Sequence, residues 1–405
     1  MNHIFVTQDY APDRGGMARR HVELCRRFAP DEMVVSTVAA AGADAFDRDE
    51  PYAIARQRFP FSRANRFTNQ LRWARWLVRR VRADRTDLLH CGNVRPAGYA
   101  VWWTHRRTGV PYVVYVYGGD LLRELRKTAR SRLKRASARR IFGDAAAVIA
   151  ISPWSKGVAE RLLAQLGLAG RVPVVTFDLG TDPAHFHPSR DTGALRRRLE
   201  LGDAPLLLTV ARLVRHKGQD VAIRALARLA SDFPTLRYLV VGDGADEPRL
   251  RALAAELGVE DRVVFTGPLS DDEIAEAYAT ASVYVGLSRV DNGINVEGFG
   301  ISFVEAGASG TPSVAGDSGG VSAAVRDGET GFLVPPEDDA AAAAAIRSLL
   351  ADPARRAAMG AAARRAVEEH YNWDRVAHET RDFAHALLSR GGVPAIGAPA
   401  VGASA

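Results

Sequence analysis

The pattern that most restricts this chain is an alternation that runs through twice. Short apolar runs rich in β-branched residues are separated by longer segments of helical period: IFVT, then GMARRHVELCRRF; MVVSTV; DLLH; YVVYVY; AVIAIS, then a helix to about Leu166; and VPVVTF. After a polar stretch over 183–204 the rhythm restarts with LLLTVAR, DVAIRALARLA, YLVVG, RVVFTG, VYVGLS, PSVAG and GFLVP. Alternation of this kind builds parallel sheets with helices on both faces, so the fold class is α/β, with doubly wound sheets. The break makes it two domains, 1–182 and 205–372, joined by a linker over 183–204. Residues 391–405, GGVPAIGAPAVGASA, have little to bury and read as a disordered tail.

The length of 405 residues suits two to three domains. Charge divides with the chain: residues 1–190 hold 32 basic and 17 acidic side chains, and the remainder holds 22 and 30. A basic half points to an anionic partner such as a membrane, a nucleic acid or a phosphorylated substrate. Two cysteines, Cys25 and Cys91, are too few for a disulfide framework and lack metal-ligand spacing, so buried thiols in a reducing cytoplasm are expected. Neither a secretion signal nor a run of 18 apolar residues is present, which argues against export and membrane spanning.

The polar residues of interest follow the strands, at the carboxyl edge where open α/β sheets bind ligands. In VEGFGISFVEAGASGTP, Glu297 and Glu305 bracket Gly298-Phe299-Gly300, and a helix is expected to begin near Ile301. A helix start offers free amides and a favourable dipole, so Phe299, Gly300 and Ile301 suit a phosphate or a sugar hydroxyl. Glu305, a turn further on, suits two vicinal hydroxyls; a plain βα turn with two exposed glutamates is the alternative. In ARLVRHKGQD, Arg212 supplies a planar fork and Lys217 a point charge, the pairing a diphosphate needs. Arg215 and His216 read as surface residues. Gly15-Gly16 lets an N-terminal loop approach the donor from across a cleft, ahead of a second helix start that suits an anion; a plain turn is the alternative. Gly242-Asp243-Gly244 lacks the full dinucleotide fingerprint and reads as packing.

Taken together, these elements resemble the GT-B retaining glycosyltransferases of the large family 4-like group that includes the phosphatidylinositol mannosyltransferases. The resemblance covers about residues 1–390 and rests on the Glu297-x7-Glu305 element, Arg212…Lys217-Gly218, the Gly15-Gly16 loop and GTDPAHFHP, in order. It implies two Rossmann-like domains facing across a cleft, with a helix at about 373–390, containing Trp373, crossing back onto the first. By resemblance Arg212 and Lys217 hold the donor diphosphate, Glu305 the ribose, and Glu297 with the adjacent amides, Gly298 included, the transferred sugar. The base would pack near Phe265 and Gly267. The implied reaction moves a hexose, first of all mannose from GDP-mannose, to a lipid or other glycan acceptor, with retention and without a metal or other cofactor. Front-face attack, in which the leaving phosphate helps take the acceptor proton, is the implied chemistry. Two positions depart from the pattern. Tyr117-Gly118-Gly119-Asp120 stands where relatives commonly carry His-Gly-x-Asp/Glu, and Ala323 where an acidic residue is common; Tyr117, Gly118 and Asp120 are placed on the donor-sugar or acceptor side. A nucleotide-sugar enzyme without transfer, such as an epimerase, and a non-catalytic binding protein are the competing readings.

Two segments concentrate the basic charge. Over 63–85 a helix is expected with Leu71, Ala74, Leu77, Val78 and Val81 on one face, and Arg72, Arg75, Arg79, Arg80 and Arg82 opposite. Trp76 falls among the arginines, the arrangement of a helix lying in a bilayer interface. From Arg123 to Arg140 nine basic residues stand against Glu124, placed beside the acceptor. No nucleic-acid fold or motif accompanies them. The expectation is a peripheral protein on the cytoplasmic membrane face.

Overall fold

The computed structural model describes residues 1–13, 15–58 and 66–390. It forms two compact units: Met1–Phe177 together with the chain from Val376 onward, and Asp178–Arg375. The first unit carries seven strands: β1 (His3–Val6), β2 (Met33–Val38), β3 (Ala53–Gln57), β4 (Leu88–Cys91), β5 (Tyr112–Val116), β6 (Ala147–Ala150) and β7 (Val174–Thr176). They pair in parallel in the order β3-β2-β1-β4-β5-β6-β7. The second unit has β8 (Leu206–Val210), β9 (Arg237–Val241), β10 (Val263–Gly267), β11 (Val283–Gly286), β12 (Ser313–Gly316) and β13 (Gly331–Val334), also parallel, in the order β10-β9-β8-β11-β12-β13. Both sheets reverse direction once, between β1 and β4 and between β8 and β11, the doubly wound pattern whose switch point receives ligands.

Burial on both faces explains why most strands read as continuous apolar runs. All five residues of β5, YVVYV, are buried. In the first unit Ile4, Val6, Leu89, Val114 and Val148 meet Trp73, Leu77 and Phe142; in the second Leu207, Val240, Val285 and Val314 meet Ile223, Leu226 and Ile346. Each such side chain contributes about 1.5–3 kcal/mol of burial. Strand β3 departs from the expected set because it is an edge strand: its AIARQ is mostly half-exposed, and Arg56 pairs with Asp47 at 2.7 Å.

The segment expected as a linker, 183–204, lies within the second unit. Leu195 and Leu201 are buried, Leu195 N and Thr192 Oγ1 donate to Glu276, and Arg364 Nη1 donates to the Pro183 and Phe186 carbonyls at 3.0 and 2.9 Å. The helix Trp373–Arg390 leaves the second unit, where Trp373 is buried, and enters the first. There Phe383 meets Phe177 with centroids 5.8 Å apart, and Arg381 Nη1 donates to the Arg27 carbonyl at 2.6 Å. The tail 391–405 lies outside the described residues. Cys25 and Cys91 are buried thiols, and burial pushes Cys91 up to about 12. No described helix is long and apolar enough to cross a membrane.

The helix Arg66–Ala83 turns the expected face inward, with Ala74, Leu77 and Val81 buried, and adds Trp73 to it. Trp73 is fully buried, its indole Nε1 donating to Ser36 Oγ at 2.8 Å, and it continues the stripe of Leu77 and Val81. Trp76 is half-buried and packs against the core of the unit, so it does not stand free among the arginines. Arg72, Arg75, Arg79 and Arg82 are exposed, and Arg80 pairs with Asp84.

Candidate active site

The carboxyl edge at the β8/β11 switch point gathers the charged residues of the second unit. After β8 the chain makes a short turn, Arg215–Lys217, that ends at Gly218 in the left-handed region, φ 76°. A Cβ there would stand 1.9 Å from the Leu287 carbonyl oxygen just beyond β11, so glycine is required for the turn to dock. Gly218→Ala is expected to cost at least about 2 kcal/mol, read as a lowered urea midpoint.

Lys217 reaches across to the loop after β11 and meets Glu297 Oε2 at 2.5 Å, both side chains being about one-fifth exposed. Burial works to raise the Glu297 carboxyl. The Lys217 charge and hydrogen bond, then His216 and the Gly298 amide, outweigh it and hold the carboxyl below its usual range. Gly319, at φ 64°, lets the next loop pass beneath: a Cβ would meet the Glu297 carbonyl oxygen at 2.3 Å, and Gly320 N donates to that oxygen at 2.9 Å. Arg212 is exposed at the end of β8, and its guanidinium makes no ion pair among the described residues.

Gly298, Phe299 and Gly300 are buried, and Gly300, φ 102°, caps the helix Ile301–Ala308. The amides of Phe299, Gly300 and Ile301 donate to no group among the described residues, which leaves the helix start open to an anion. Glu305 is 5% exposed, and its Oε2 accepts from the Tyr278 hydroxyl at 2.8 Å. Phe265 is half-buried beneath the Arg251 guanidinium, 4.4 Å from the ring centroid; Gly267, at φ 68°, has its carbonyl held by Gly242 N at 3.0 Å. Gly242 and Gly244 are packing positions: a Cβ on either would collide with the Ala211 or Leu213 carbonyl oxygen, at 2.3 and 2.2 Å.

Three residues of this edge escaped the sequence reading or were misplaced by it. His216 is half-buried, not a surface residue, and burial followed by the Lys217 charge lowers its pKa. Arg289, in the loop after β11, donates to both Asp220 oxygens at 3.0 Å, and its amide donates to the His216 carbonyl at 2.9 Å. Arg289 thereby ties the turn after β8 to the loop after β11. An acidic residue in the first helical turn, Asp220, was the available signal, but its partner lies 69 residues away.

In the first unit Gly15 and Gly16 are exposed at the start of the helix Gly16–Cys25, with nothing within 4 Å of a Cβ on Gly15. Asp9, after β1, accepts from Asn93 Nδ2, after β4, at 2.7 Å; burial raises the Asp9 carboxyl. The Tyr117 loop differs from expectation. Tyr117 is 7% exposed, its phenol contacts His21 Nε2 and accepts from Arg20 Nη1 at 3.2 Å, so that hydroxyl is engaged inside the fold. Asp120 accepts from the amides of Tyr117 and Gly118 at 3.1 and 2.8 Å, which closes the turn that leads into the helix Gly119–Arg130. Gly118 and Asp120 are thus explained by the turn itself.

Comparison with known proteins agrees in both units. Residues 191–366 match the family of glycosyl transferases group 1, and residues 14–176 match glycosyltransferase family 4. A GDP-mannose-dependent alpha-(1-6)-phosphatidylinositol monomannoside mannosyltransferase of Mycobacterium tuberculosis is 31% identical over 390 residues, covering 94% of this chain and 97% of that protein. A D-inositol 3-phosphate glycosyltransferase of Streptomyces scabiei is 31% identical over 407 residues, covering 93% and 87%. Among solved structures, Anabaena HepE in complex with UDP superposes with a TM-score of 0.78 at 21% identity, covering 96% of this chain and all of that one. At that identity the likeness speaks for the fold, which is GT-B.

Proposed function

Because this chain belongs to the family 4, group 1 glycosyltransferases, we propose that it is a retaining, metal-independent mannosyltransferase that uses GDP-mannose and an inositol-containing lipid acceptor. The Lys217–Glu297 contact beside an open helix start is the observation that carries the donor half of this reading. Bond cleavage leaves negative charge on the β-phosphate of the leaving nucleotide. Lys217 and Arg212 supply the cations that meet it, and the Phe299, Gly300 and Ile301 amides supply neutral donors already oriented, so little reorganisation is required as charge develops. Glu297, kept ionised by Lys217, accepts hydroxyls of the transferred sugar and orients the ammonium. Glu305 with Gly267 and Phe265 serves the nucleoside. The acceptor belongs to the basic first unit, where Gly15 and Gly16 leave a helix start open, and the exposed arginines of Arg66–Ala83 support a position at an anionic cytoplasmic membrane face. The Streptomyces scabiei relative favours a second reading, with an inositol phosphate in solution as acceptor.

Thermal shift tests the donor: GDP and GDP-mannose are expected to raise the melting temperature, and UDP and UDP-glucose much less. GDP release from GDP-mannose should then depend on phosphatidylinositol or its monomannoside, persist in EDTA, and give an α-linked product by NMR. A larger shift with UDP than with GDP defeats the donor assignment. Release driven by inositol phosphate alone favours the soluble acceptor.

A further inference from the structure

A cavity of the first unit is at the opposite edge of its sheet from Gly15, Asp9 and Asn93. It measures about 600 Å³ and is walled by the helix Arg132–Gly143 and the turn that leads into β7. Gly143 and Asp144 stand just before β6, and Arg171 just before β7, which fixes the cavity at the amino-terminal edge of the strands. The basic segment expected beside the acceptor therefore places a large part of its charge elsewhere.

Arg132, Arg135, Arg139, Arg140 and Arg171 all line this cavity and all are exposed. Asp144 is the one acidic side chain in the lining, and its Oδ2 is engaged by the Trp102 indole N–H at 2.8 Å. No carboxylate pairs with any of the five arginines among the described residues. Arg135 donates to the Gln165 carbonyl at 2.6 Å, and Arg140 lies 5.8 Å over the Trp102 ring, contacts that aim the guanidinium groups without neutralising them. Five planar forks around one concavity suit a phosphate oxyanion.

One further residue selects the source of that phosphate. Leu133, between Arg132 and Lys134, is 85% exposed, and only it and Val290 are large exposed hydrophobics among the described residues. An apolar side chain held out from an unneutralised basic helix has no use in binding a small solute, but it enters the acyl boundary when the helix lies on a bilayer. Nucleic acid would use the charge and leave Leu133 unexplained.

We propose that this cavity is a second anion site, distinct from the donor and acceptor edges, which takes the phosphate headgroups of an anionic membrane while Leu133 inserts beside it. The site goes beyond the transferase reading, since nothing in its chemistry involves sugar transfer. It adds the helix Arg132–Gly143 to the exposed arginines of Arg66–Ala83 as a membrane contact.

The test is co-sedimentation of the full chain with vesicles of phosphatidylcholine alone or mixed with phosphatidylglycerol. Arg139→Glu/Arg171→Glu is expected to lower partitioning onto the anionic vesicles by about 25-fold or more, at about fivefold for each basic residue lost. Leu133→Asn should lower it severalfold without altering its salt dependence. The urea midpoint followed by tryptophan fluorescence, which reports on the first unit, should be unchanged in each variant and shows that they fold. Unaltered partitioning of the double variant, or equal recovery of the parent chain on neutral and anionic vesicles, overturns the proposal. A thermal shift with inositol phosphate that the double variant abolishes, in a protein that ignores vesicles, assigns the cavity to a free phosphate instead. Displacement of the vesicles by an oligonucleotide with no effect of Leu133→Asn assigns it to nucleic acid. Failure of sugar transfer with intact vesicle binding would count against the transferase reading alone.

Discussion

Lys217→Ala and Arg212→Ala are each expected to lower turnover about 10²- to 10³-fold, the loss typical when one donor to a developing oxyanion is removed from a preorganised site. The two should differ in ways the geometry dictates. Arg212 is exposed and unpaired, so its removal leaves no group stranded and the ligand-free melting temperature should hold. Lys217 is the partner of Glu297, and its loss leaves a partly buried carboxylate without its cation. Burial then prevails, the Glu297 carboxyl titrates higher than in the parent chain, and activity in Lys217→Ala should decline with acid from a higher pH than in the parent. Glu297→Gln keeps the shape and removes the charge, so it isolates the orienting role: turnover should fall while GDP binding changes little. Initial rates of GDP release with saturating GDP-mannose, alongside GDP titrations, read all three. Parent-level release in both cation variants would falsify the assignment of this edge as the donor site.

The strands and the charged edge of the second unit were legible because each depends on neighbours in sequence. YVVYV is buried on both faces, so its composition alone marks a parallel strand. Arg212, Lys217 and Gly218 lie within one turn, and Glu297 through Glu305 within one loop and helix start. What was not legible depends on contacts between distant segments. AIARQ is a strand because Met33–Val38 offers it an edge, and its half-polar pattern carries no such mark. Tyr117 resembled a ligand-facing residue until His21 and Arg20, almost a hundred residues earlier, took its hydroxyl. Trp73 and Trp76 differ by three positions, and the arginines around them satisfied the expected amphipathic face; only the docked neighbours decide that Trp73 goes inside.

Acid should unfold the first unit well before the second, because three of its histidines are buried in the neutral form. His3 Nδ1 and His90 Nε2 lie 3.0 Å apart, His90 Nδ1 is 2.9 Å from the Tyr115 hydroxyl, and His21 Nδ1 is 2.7 Å from the Asp9 carbonyl. Burial lowers His3 to about 4; burial, then the Arg20 charge, lowers His21 to about 3; burial, then His3 and Arg20, push His90 well below its ordinary value. A folded-state pKa below the unfolded one means that the unfolded chain binds the proton first. Stability is therefore intact above about pH 6.5 and falls as pH drops from there toward about 4, where His3 begins to protonate in place. Each histidine contributes a slope of about 1.4 kcal/mol per pH unit, or about 4 kcal/mol per unit for the three together. Asp9 and Asp120, whose carboxyls burial raises, take up protons in the folded state and offset part of this at the acid end. A fall of about two units thus removes stability comparable to the whole of a typical domain, about 5–15 kcal/mol. Five of the six tryptophans lie in the first unit, so urea titrations followed by tryptophan fluorescence report on it selectively. The midpoint should fall steeply between about pH 6 and 5, and GDP binding by the second unit should decline later. A midpoint that stays flat through that interval would show that the three imidazoles are solvated or paired with acids, contrary to the buried hydrogen-bonded arrangement.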